Sequence, residues 1–286
     1  MSQPVASDTR RVSVAGTDVA YRRWGGEGAD GCLLVHGIAA HSGWWDDVAA
    51  QIGRQRPVAA IDLSGHGDSG HRLGYSREMW AEELIAITDA EGWRRPVLVG
   101  HSLGGMVALR AAAIYPDRFA GVCVMESNIT DEPPLDDPAL TLGRPHRGRS
   151  SRAEIVQRWH TLPPEPVDTD VARRVADQSV RLVEDGWVWK FDPDVFRSAV
   201  MVEADLERLR IPSLLCRGEH GAVTEDRLAR LAEIVGPQTT QTVLPGVGHN
   251  VMLAAPQLVT DVVSSVLDAW TTPTMPETPT SAGAVR

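Results

Sequence analysis

Ser102 lies in a segment whose spacing is suited to nucleophilic catalysis. Residues 100–104 have the sequence GHSLG, with an apolar run at 97–99 before them and a helical pattern after them. A serine at a tight strand-to-helix turn projects its hydroxyl beyond the sheet, and flanking glycines let the backbone pass its neighbours closely. The sequence therefore predicts that Ser102 attacks an acyl carbon and forms a covalent acyl-enzyme.

His249 is the predicted general base for that serine. Residues 245–249 have the sequence PGVGH and follow the last apolar run of the chain. A neutral imidazole, which titrates near about pH 6.5, can accept the serine proton at neutral pH and return it to the leaving group. Because the chain has nine histidines, the position of His249 after a late strand matters more than its residue type.

These segments resemble those of the α/β-hydrolase fold superfamily, in particular its serine esterases and lactonases. VHGI at residues 35–38 and DLSGHGDS at 62–69 match the family's His-Gly turn and its D-x-x-G-x-G-x-S segment. The chain order of nucleophile, acid and histidine is also the family's, and the resemblance covers residues 11–270. It implies structural or lining roles for the histidines of these motifs, His36, His66 and His101.

Two backbone amides are predicted to stabilise the developing oxyanion. The Leu103 N–H follows the nucleophile at the start of a helix, and the Ile38 N–H follows the His-Gly turn. Such donors stabilise the charge that develops in the transition state, and removal of one typically costs about 3 kcal/mol. The resemblance implies the same pair of amides.

The carboxylate that should orient His249 is where this sequence departs from the family pattern. Most members carry an aspartate in a G-x-x-D turn after the strand that corresponds here to 213–216, but this turn reads GEHG and ends at Gly221. Glu126 ends the strand after the nucleophile helix, and the resemblance to members with their acid there implies that it fixes the histidine tautomer. The alternatives are a Ser–His dyad or one of the carboxylates Glu219, Asp205 and Asp226, the last expected to cap a helix. Asp62 is expected to support its own loop instead.

Tryptophan is the most abundant aromatic residue, with nine copies against three phenylalanines and three tyrosines. Trp44 and Trp45 follow the oxyanion turn, while Trp187 and Trp189 lie two residues apart, a spacing that places side chains on one face of a strand. These four residues are predicted to bind a bulky apolar or aromatic substrate. Filling the hydrophobic core is the alternative role for each of them.

The elements that must position these residues alternate along the chain. Apolar runs predict strands at 11–14, 19–23, 32–35, 58–61, 97–99, 121–125, 213–216 and 242–244, the first two as a hairpin. Helical patterns lie between them at 44–52, 77–91, 103–115, 225–235 and 257–270. Continuous apolar strands that alternate with helices are typical of a parallel sheet with both faces covered. The sequence therefore predicts an α/β fold with a mostly parallel sheet flanked by helices.

A different pattern interrupts this alternation after the sixth strand. Residues 127–210 are predicted to form a helical cap, with helices at 152–160, 171–184 and 195–209 and no strand between them. The cap should lie over the carboxyl edge of the sheet, where open α/β sheets bind ligands. It separates the two parts of the core, 11–126 and 211–270. Residues 1–10 and 271–286 are predicted to be a flexible N-terminus and a disordered tail.

The composition restricts the partners of this protein. The 286 residues carry a net charge of −10, which argues against nucleic acid or an anionic membrane as a partner. No apolar stretch approaches the roughly 18 residues of a membrane span, and residues 1–11 lack a signal-peptide core, so a cytoplasmic location is expected. Cys32, Cys123 and Cys216 lie in apolar runs and are predicted to be buried thiols. Neither a metal nor an organic cofactor is implied, and the sequence defines no oligomeric state.

Together these residues predict a serine hydrolase that cleaves a carboxylic ester or lactone of a small, bulky hydrophobic molecule. Thioesters and carbon–carbon bonds next to a ketone are alternative substrates for the same Ser-His-acid site, and the fold alone does not separate them. Dehalogenase and epoxide hydrolase chemistry on this fold uses an aspartate nucleophile and is disfavoured by Ser102. A ligand-binding member of the fold with little turnover is the remaining alternative, favoured by Gly221 and disfavoured by the intact serine and histidine.

Overall fold

An eight-stranded sheet forms the centre of the protein, in a computed structural model that describes residues 7–127, 148–149, 151–197, 206 and 209–271. The described strands are β1 (Asp8–Val14), β2 (Thr17–Trp24), β3 (Cys32–Val35), β4 (Val58–Ile61), β5 (Val97–His101), β6 (Gly121–Met125), β7 (Val180–Val183), β8 (Gly186–Trp189), β9 (Ser213–Gly218) and β10 (Thr239–Leu244). The order in the large sheet is β1-β2-β4-β3-β5-β6-β9-β10. β2 runs antiparallel to β1 and β4, and all other neighbours are parallel, which confirms the predicted mostly parallel sheet.

Helices cover both faces of this sheet. They are α1 (Asp46–Ile52), α2 (Arg77–Ala90), α3 (Leu103–Ile114), α4 (Arg152–Val156), α5 (Thr169–Gln178), α6 (Glu225–Val235), α7 (Val251–Ala254) and α8 (Pro256–Trp270). α2, α3 and α6 enclose one hydrophobic core, and α1, α7 and α8 enclose another on the opposite face. Successive residues of a buried strand serve the two cores, as Leu33 and Leu34 do in β3. The apolar runs are continuous because both faces of these strands are buried.

The N-terminal strand begins earlier than the sequence predicts. β1 starts at Asp8 and pairs with β2 along its whole length, so residues 8–10 do not belong to a flexible terminus. Arg10 also donates to the Glu91 carboxylate at 2.9 Å. Sequence reasoning missed these residues because they are polar, and an antiparallel edge strand needs no continuous apolar run. Residues 1–6 lie outside the described part of the chain.

The cap contains strands as well as helices, which corrects the prediction of a purely helical insertion. β7 and β8 form an antiparallel hairpin in which Val180 lies opposite Trp189. Gly186, with a φ of 115°, allows the turn between them, and Arg149 adds a backbone bridge to Trp187. The hydrogen bonds of paired strands therefore replace those that a continued helix would have made.

The cap helices are shorter than predicted. The helix expected at 152–160 ends at Val156, and the helix expected at 171–184 ends at Gln178. Periodicity overestimates the second helix because apolar residues at 180 and 183 fit the spacing of a helix as well as that of a hairpin. The region expected as a helix at 195–209 begins with the 3-10 turn Pro193–Arg197. Most of its remainder lies outside the described residues, as do residues 128–147 and the predicted tail from 272 onward.

The cysteines are buried free thiols, as predicted. Burial raises the pKa of the Cys32 thiol, and a hydrogen bond with Cys123 together with burial raises the pKa of Cys216, so neither forms a reactive thiolate at neutral pH. In the ranges that the structure describes, no three histidine, cysteine or carboxylate side chains are grouped so that they could hold a metal ion. None of the helices in those ranges combines the length with the apolar composition that a membrane span requires.

Candidate active site

The turn between β5 and α3 places Ser102 at the carboxyl edge of the sheet. Its φ of 52° and ψ of −120° are strained for a residue other than glycine. A Cβ on Gly100 would lie 2.3 Å from the Gly104 carbonyl oxygen, and a Cβ on Gly104 would lie 2.4 Å from that of Val35. The Ser102 amide donates to the Met125 carbonyl at 3.0 Å, which ties the turn to β6. Both flanking glycines are therefore required, as the GHSLG pattern predicts.

His249 reaches the same edge of the sheet on the loop between β10 and α7. Its Nδ1 lies 2.9 Å from Glu126 Oε2, and both side chains are largely buried. A carboxylate can only accept a hydrogen bond, so the Nδ1–H is the donor and Nε2 of the neutral ring remains an acceptor. This is the tautomer that a general base for Ser102 requires.

The Glu126 carboxylate is held in place by β9 and the loop that follows it. Glu126 directly follows β6 and has a φ of 53°. Three backbone amides donate to its side chain. The donors are Gly218 at 2.7 Å, Ala222 at 2.9 Å and Val223 at 3.3 Å. With these donors and the imidazole, the carboxylate is fully paired and has one orientation.

Gly221 leaves the space that this carboxylate occupies. A Cβ at position 221 would lie 2.0 Å from Glu126 Oε1. The position at which the family pattern carries an aspartate is therefore in direct contact with the carboxylate that is hydrogen-bonded to His249. An aspartate at 221 and a glutamate at 126 cannot both fit in these conformations.

The other candidate acids lie elsewhere. Glu219 is about half exposed, and its carboxylate accepts a backbone amide of the loop after β10 rather than the imidazole. Asp226 lies in the first turn of α6, but the residue that caps this helix is Thr224, so the predicted cap is wrong. A threonine oxygen at the N-cap reaches an amide of the first turn in the same way as an aspartate. Asp205 lies outside the described residues.

Asp62 supports the loops beneath the site. Its two carboxylate oxygens accept the amides of Ser42 at 2.6 Å and Asp68 at 2.8 Å. A Cβ on Gly67 would lie 2.3 Å from the Asp62 carboxyl carbon, so the loop closes tightly around this group. Asp62 is not among the residues that line the cavity at Ser102, in agreement with the structural role expected for it.

The three motif histidines are buried and uncharged at neutral pH. Burial lowers the pKa of His36, and it lowers the pKa of His66 and His101 well below the ordinary value. The Nε2–H of His101 donates to the His249 carbonyl at 2.9 Å, and the two ring centroids are 4.7 Å apart. His101 thereby holds the backbone of the candidate base without adding a positive charge beside it.

A cavity of about 760 Å³ lies above the sheet edge, and Ser102 and His249 both line it. Among the described residues, no hydrogen bond joins the side chains of Ser102 and His249. The imidazole is hydrogen-bonded to the Glu126 carboxylate instead. Catalytic hydrogen bonds are often long in a free enzyme and shorten when substrate binds. The fold therefore brings the candidate nucleophile and the candidate base to one cavity, although residues 102 and 249 are far apart in sequence.

The amides predicted to form the oxyanion hole are free to donate. Among the described residues, neither the Leu103 N–H nor the Ile38 N–H has another acceptor. Leu103 begins α3, where the helix dipole favours negative charge, and Ile38 lines the cavity. A Cβ on Gly37 would lie 3.3 Å from Ser102 Cβ, so the His-Gly turn packs directly against the serine.

Two of the four predicted tryptophans, Trp44 and Trp189, line the cavity. Trp45 does not, because it points from its 3-10 turn into the core enclosed by α1 and α8, where it is fully buried. Trp187 does not either, because its ring packs beneath the Arg152 guanidinium at 5.9 Å. These two assignments to the substrate site are therefore corrected.

Trp159 is an aromatic cavity residue that sequence reasoning did not select. Its ring makes an edge contact with Trp44, with 6.0 Å between the centroids. Ile155, Trp159 and Leu162 all line the cavity, but α4 ends at Val156, so Trp159 and Leu162 reach the cavity from the segment after the helix. Their spacing of four and three residues would have indicated a shared face in the sequence, although no helix carries that face here.

The cavity also carries positive charge that the sequence analysis did not identify. Arg149 and Arg158 line it, and no carboxylate is among the described lining residues. Arg149 and Arg158 share the Glu154 carboxylate at 3.5 Å and 3.8 Å, contacts longer than the roughly 2.8 Å of a strong charge-assisted hydrogen bond. An anionic group of a ligand could therefore compete for these guanidinium groups.

Known proteins share this architecture over most of the chain. The esterase Rv0045c of Mycobacterium tuberculosis is 27% identical over 263 residues, which cover 87% of this chain and 86% of the esterase. The 2-(acetamidomethylene)succinate hydrolase of Mesorhizobium japonicum is 23% identical in an alignment 287 residues long. This alignment covers 94% of this chain and 99% of the hydrolase. The solved thioesterase domain from the curacin biosynthetic pathway has a similar fold, with a TM-score of 0.77 at 20% identity over 91% of this chain and 99% of that domain.

A sequence model of the alpha/beta hydrolase family matches residues 32–262. The match begins at β3 and ends within α8, so it includes the strand-to-helix turn at Ser102, the end of β6 and the loop of His249. It also spans the insertion between the two parts of the core. Since the match covers well over half of the sequence and the sheet has the order described above, the chain belongs to the alpha/beta hydrolase family.

Proposed function

We propose that this protein is a serine hydrolase that cleaves a carboxylic ester or lactone through an acyl-enzyme. One observation carries the proposal: the Nδ1–H of His249 donates to the buried Glu126 carboxylate, while the imidazole and Ser102 line the same cavity. This arrangement leaves Nε2 to receive the serine proton. The name of the mycobacterial relative, an esterase, supports an ester as the substrate.

In the proposed reaction, Ser102 Oγ bonds to the acyl carbon while its proton passes to His249 Nε2. The amides of Leu103 and Ile38 bind the oxyanion of the tetrahedral intermediate. When this intermediate collapses, the bond to the alcohol oxygen breaks and the imidazolium returns the proton to that oxygen. Water then attacks the acyl-enzyme with His249 again as base, which releases the acid and restores the serine. Glu126 keeps Nδ1 protonated and stabilises the imidazolium throughout.

The cavity supports a bulky substrate with one apolar part and one polar part. A volume of about 760 Å³ falls in the range of roughly 300–1,000 Å³ that is usual for small-molecule sites. Trp44, Trp159 and Trp189 provide aromatic surface for an apolar acyl or alcohol group. The arginines of the cavity favour an anionic group at the other end of the molecule, and the name of the Mesorhizobium relative contains a dicarboxylate, succinate.

A panel of aryl esters, lactones and acyl thioesters tests the proposed bond type, with Ser102→Ala as the control. We expect ester or lactone turnover that depends on Ser102. Thioesters belong in the panel because the curacin thioesterase domain shares the fold. Turnover that survives in Ser102→Ala would contradict the mechanism, and a preference for thioesters would replace the substrate class while keeping the acyl-enzyme.

Labelling with a fluorophosphonate separates an enzyme from a ligand-binding protein. An activated serine reacts with this probe, so we expect covalent labelling of the wild-type protein at Ser102 and none of Ser102→Ala. A wild-type protein that binds small ligands but resists the probe would favour the alternative of a ligand-binding member of the fold.

A further inference from the structure

Glu165 connects the cap to the loop that carries His249. It lies between α4 and α5, and its carboxylate accepts three hydrogen bonds from two consecutive residues of that loop. The donors are the His249 amide at 2.6 Å, the Asn250 amide at 2.9 Å and Asn250 Nδ2 at 2.8 Å. Hydrogen bonds to an ionised carboxylate are roughly twice as strong as those between neutral groups. This is a contact that neither the triad nor the cavity requires.

We propose that Glu165 is a positioning residue through which the cap holds the backbone of His249 in the orientation that the base requires. The inference rests on the proposed function, because it takes His249 as the base. Glu165 acts on the main chain of His249, whereas Glu126 acts on its ring. One carboxylate from the cap and one from the core therefore fix the same residue.

Gly248 makes this contact possible. A Cβ at position 248 would lie 2.3 Å from Glu165 Oε1. The last glycine of PGVGH therefore leaves room for a carboxylate that arrives from the cap. An acidic side chain that merely covered the surface of the protein would not need this clearance.

The segment around Glu165 is stiff and locally anchored. Three prolines restrict its backbone dihedral angles: Pro163, Pro164 and Pro166. The Glu165 amide donates to Thr161 Oγ1 at 2.8 Å, and the Thr161 side chain is buried. Because such a segment has little conformational freedom to lose, it can hold the loop of His249 at a small entropic cost.

The same segment contacts the substrate cavity. Leu162 lines the cavity on the cap side, and Asn250 lines it on the core side. A substrate in the cavity therefore touches residues next to both partners of the contact. Substrate binding and the orientation of the base are coupled through this one carboxylate.

Glu165 also places a negative charge beside the base. Burial tends to raise its pKa, but the hydrogen bonds from Asn250 and His249 and the charge of the imidazole outweigh burial and lower the pKa below its ordinary value. Within the described part of the chain, Glu126 and the uncharged His101 also face the imidazole. An ionised Glu165 therefore favours the imidazolium that forms when His249 takes the serine proton.

The test compares Glu165→Gln with Glu184→Gln in the full-length protein. Glu184 is an exposed carboxylate on the turn of the cap hairpin, which makes it a matched control. We expect Glu165→Gln to change the NMR chemical shift of the His249 backbone amide, because its hydrogen-bond acceptor changes from a carboxylate to a neutral amide. With an ester that the wild-type protein hydrolyses, we expect kcat to fall roughly tenfold to a hundredfold with a smaller change in KM. Glu184→Gln should leave both measurements unchanged.

The outcomes distinguish this inference from the proposed function. A wild-type kcat in Glu165→Gln overturns the positioning role even if the amide shift changes or Tm falls, because a structural contact alone alters only stability. If Ser102→Ala is inactive and Glu165→Gln retains the wild-type kcat, only the positioning role fails. If turnover does not depend on Ser102 but the His249 amide shift still changes in Glu165→Gln, the contact of Glu165 with the His249 loop is supported and the proposed function is rejected.

Discussion

The carboxylate beside His249 comes from β6 because Gly221 leaves space for it at the end of β9. The presence of Glu126 after a strand and the absence of an aspartate at 221 are both visible in the sequence, so the carboxylate that contacts His249 could be predicted. The distance of 2.0 Å between a Cβ at 221 and Glu126 Oε1 could not, because it depends on two loops that are distant in sequence. The same applies to Glu165, whose role depends on a contact between cap and core.

Replacing Glu126 by glutamine should remove most of the activity. The amide can no longer hold the imidazole in the required tautomer or stabilise its charged form, and loss of a triad carboxylate in this way typically lowers kcat by about 10⁴. Steady-state kinetics on the best ester measures the effect. Glu219→Gln is the control and should retain near-native kcat. A small effect of Glu126→Gln combined with a large effect of Glu219→Gln would transfer the role of the acid to Glu219.

An aspartate at position 221 should help only when Glu126 is absent. Gly221→Asp alone should be nearly inactive, because its side chain and the Glu126 carboxylate overlap. Glu126→Ala removes the overlap and the acid together. We expect Glu126→Ala to lower kcat by about 10³ to 10⁴. The double variant Glu126→Ala/Gly221→Asp should have a kcat at least about ten times that of Glu126→Ala. A double variant no more active than Glu126→Ala, with both folded by circular dichroism, would show that the two positions are not interchangeable.

The elements of the core follow from its hydrophobic pattern, and those of the cap do not. β3 and β4 are apolar at every residue because both of their faces are buried, so they are recognised from composition alone. β1 is polar and edge-located, and β7 shares its spacing with a helix, so neither has a pattern that separates it from the alternatives. Hydrogen bonds to the next strand of a hairpin decide the conformation of both segments.

The end of α2 holds the N-terminal hairpin through one carboxylate. Glu91 accepts hydrogen bonds from Arg10 at 2.9 Å, Tyr21 at 2.6 Å and Arg23 at 2.8 Å. Only 3% of its side chain is exposed. Burial raises the pKa of Glu91, but the hydrogen bonds from these three partners outweigh burial and lower the pKa below the ordinary value of 4.5. The interaction therefore stabilises the folded state most when the carboxylate is ionised.

Glu91→Gln should destabilise the protein at neutral pH by about 3 kcal/mol, because it removes the charge from a buried ion pair. The pKa is lower in the folded state than in the unfolded state, so this stabilisation is fully present above about pH 5 and decreases as the pH falls through the folded pKa. Urea unfolding of both proteins at pH 7 and pH 4 measures the difference. Glu82→Gln, an exposed residue of the same helix, is the control. A difference that does not shrink at the lower pH would contradict the role of the carboxylate charge.

Across the whole molecule, the described lining of the cavity has the opposite sign of charge from the chain. The protein carries a net charge of −10, yet two arginines and no carboxylate lie among the described lining residues. A charged cleft concentrates ligands of opposite charge and speeds their association. The net charge follows from the sequence, but the charge of the cavity lining does not, because the arginines are recognised as cavity residues only when the cap is placed over the sheet.

Replacing Arg149 and Arg158 by glutamine should selectively impair anionic substrates. We expect kcat/KM to fall by about tenfold or more for an ester with a free carboxylate, such as a nitrophenyl hemiglutarate, and to change little for the neutral nitrophenyl butyrate. Activity on the anionic ester should also decrease with added salt. Arg173→Gln, on an exposed face of α5, is the control. Equal losses for both esters would mean that the arginines shape the cavity without recognising charge.

β5, α3 and β6 form one continuous unit that supplies two of the three proposed catalytic side chains. In the pairing of these strands, His101 lies opposite Met125, so Ser102 and Glu126 each follow the last paired residue. A strand can shift its pairing only by whole residues, and a shift by one would turn the glutamate to the opposite face of the sheet. The relative position of the serine and the acid is therefore fixed by the pairing of β5 with β6. A shift in the pairing of β5 and β6 would therefore disrupt the proposed site abruptly rather than gradually.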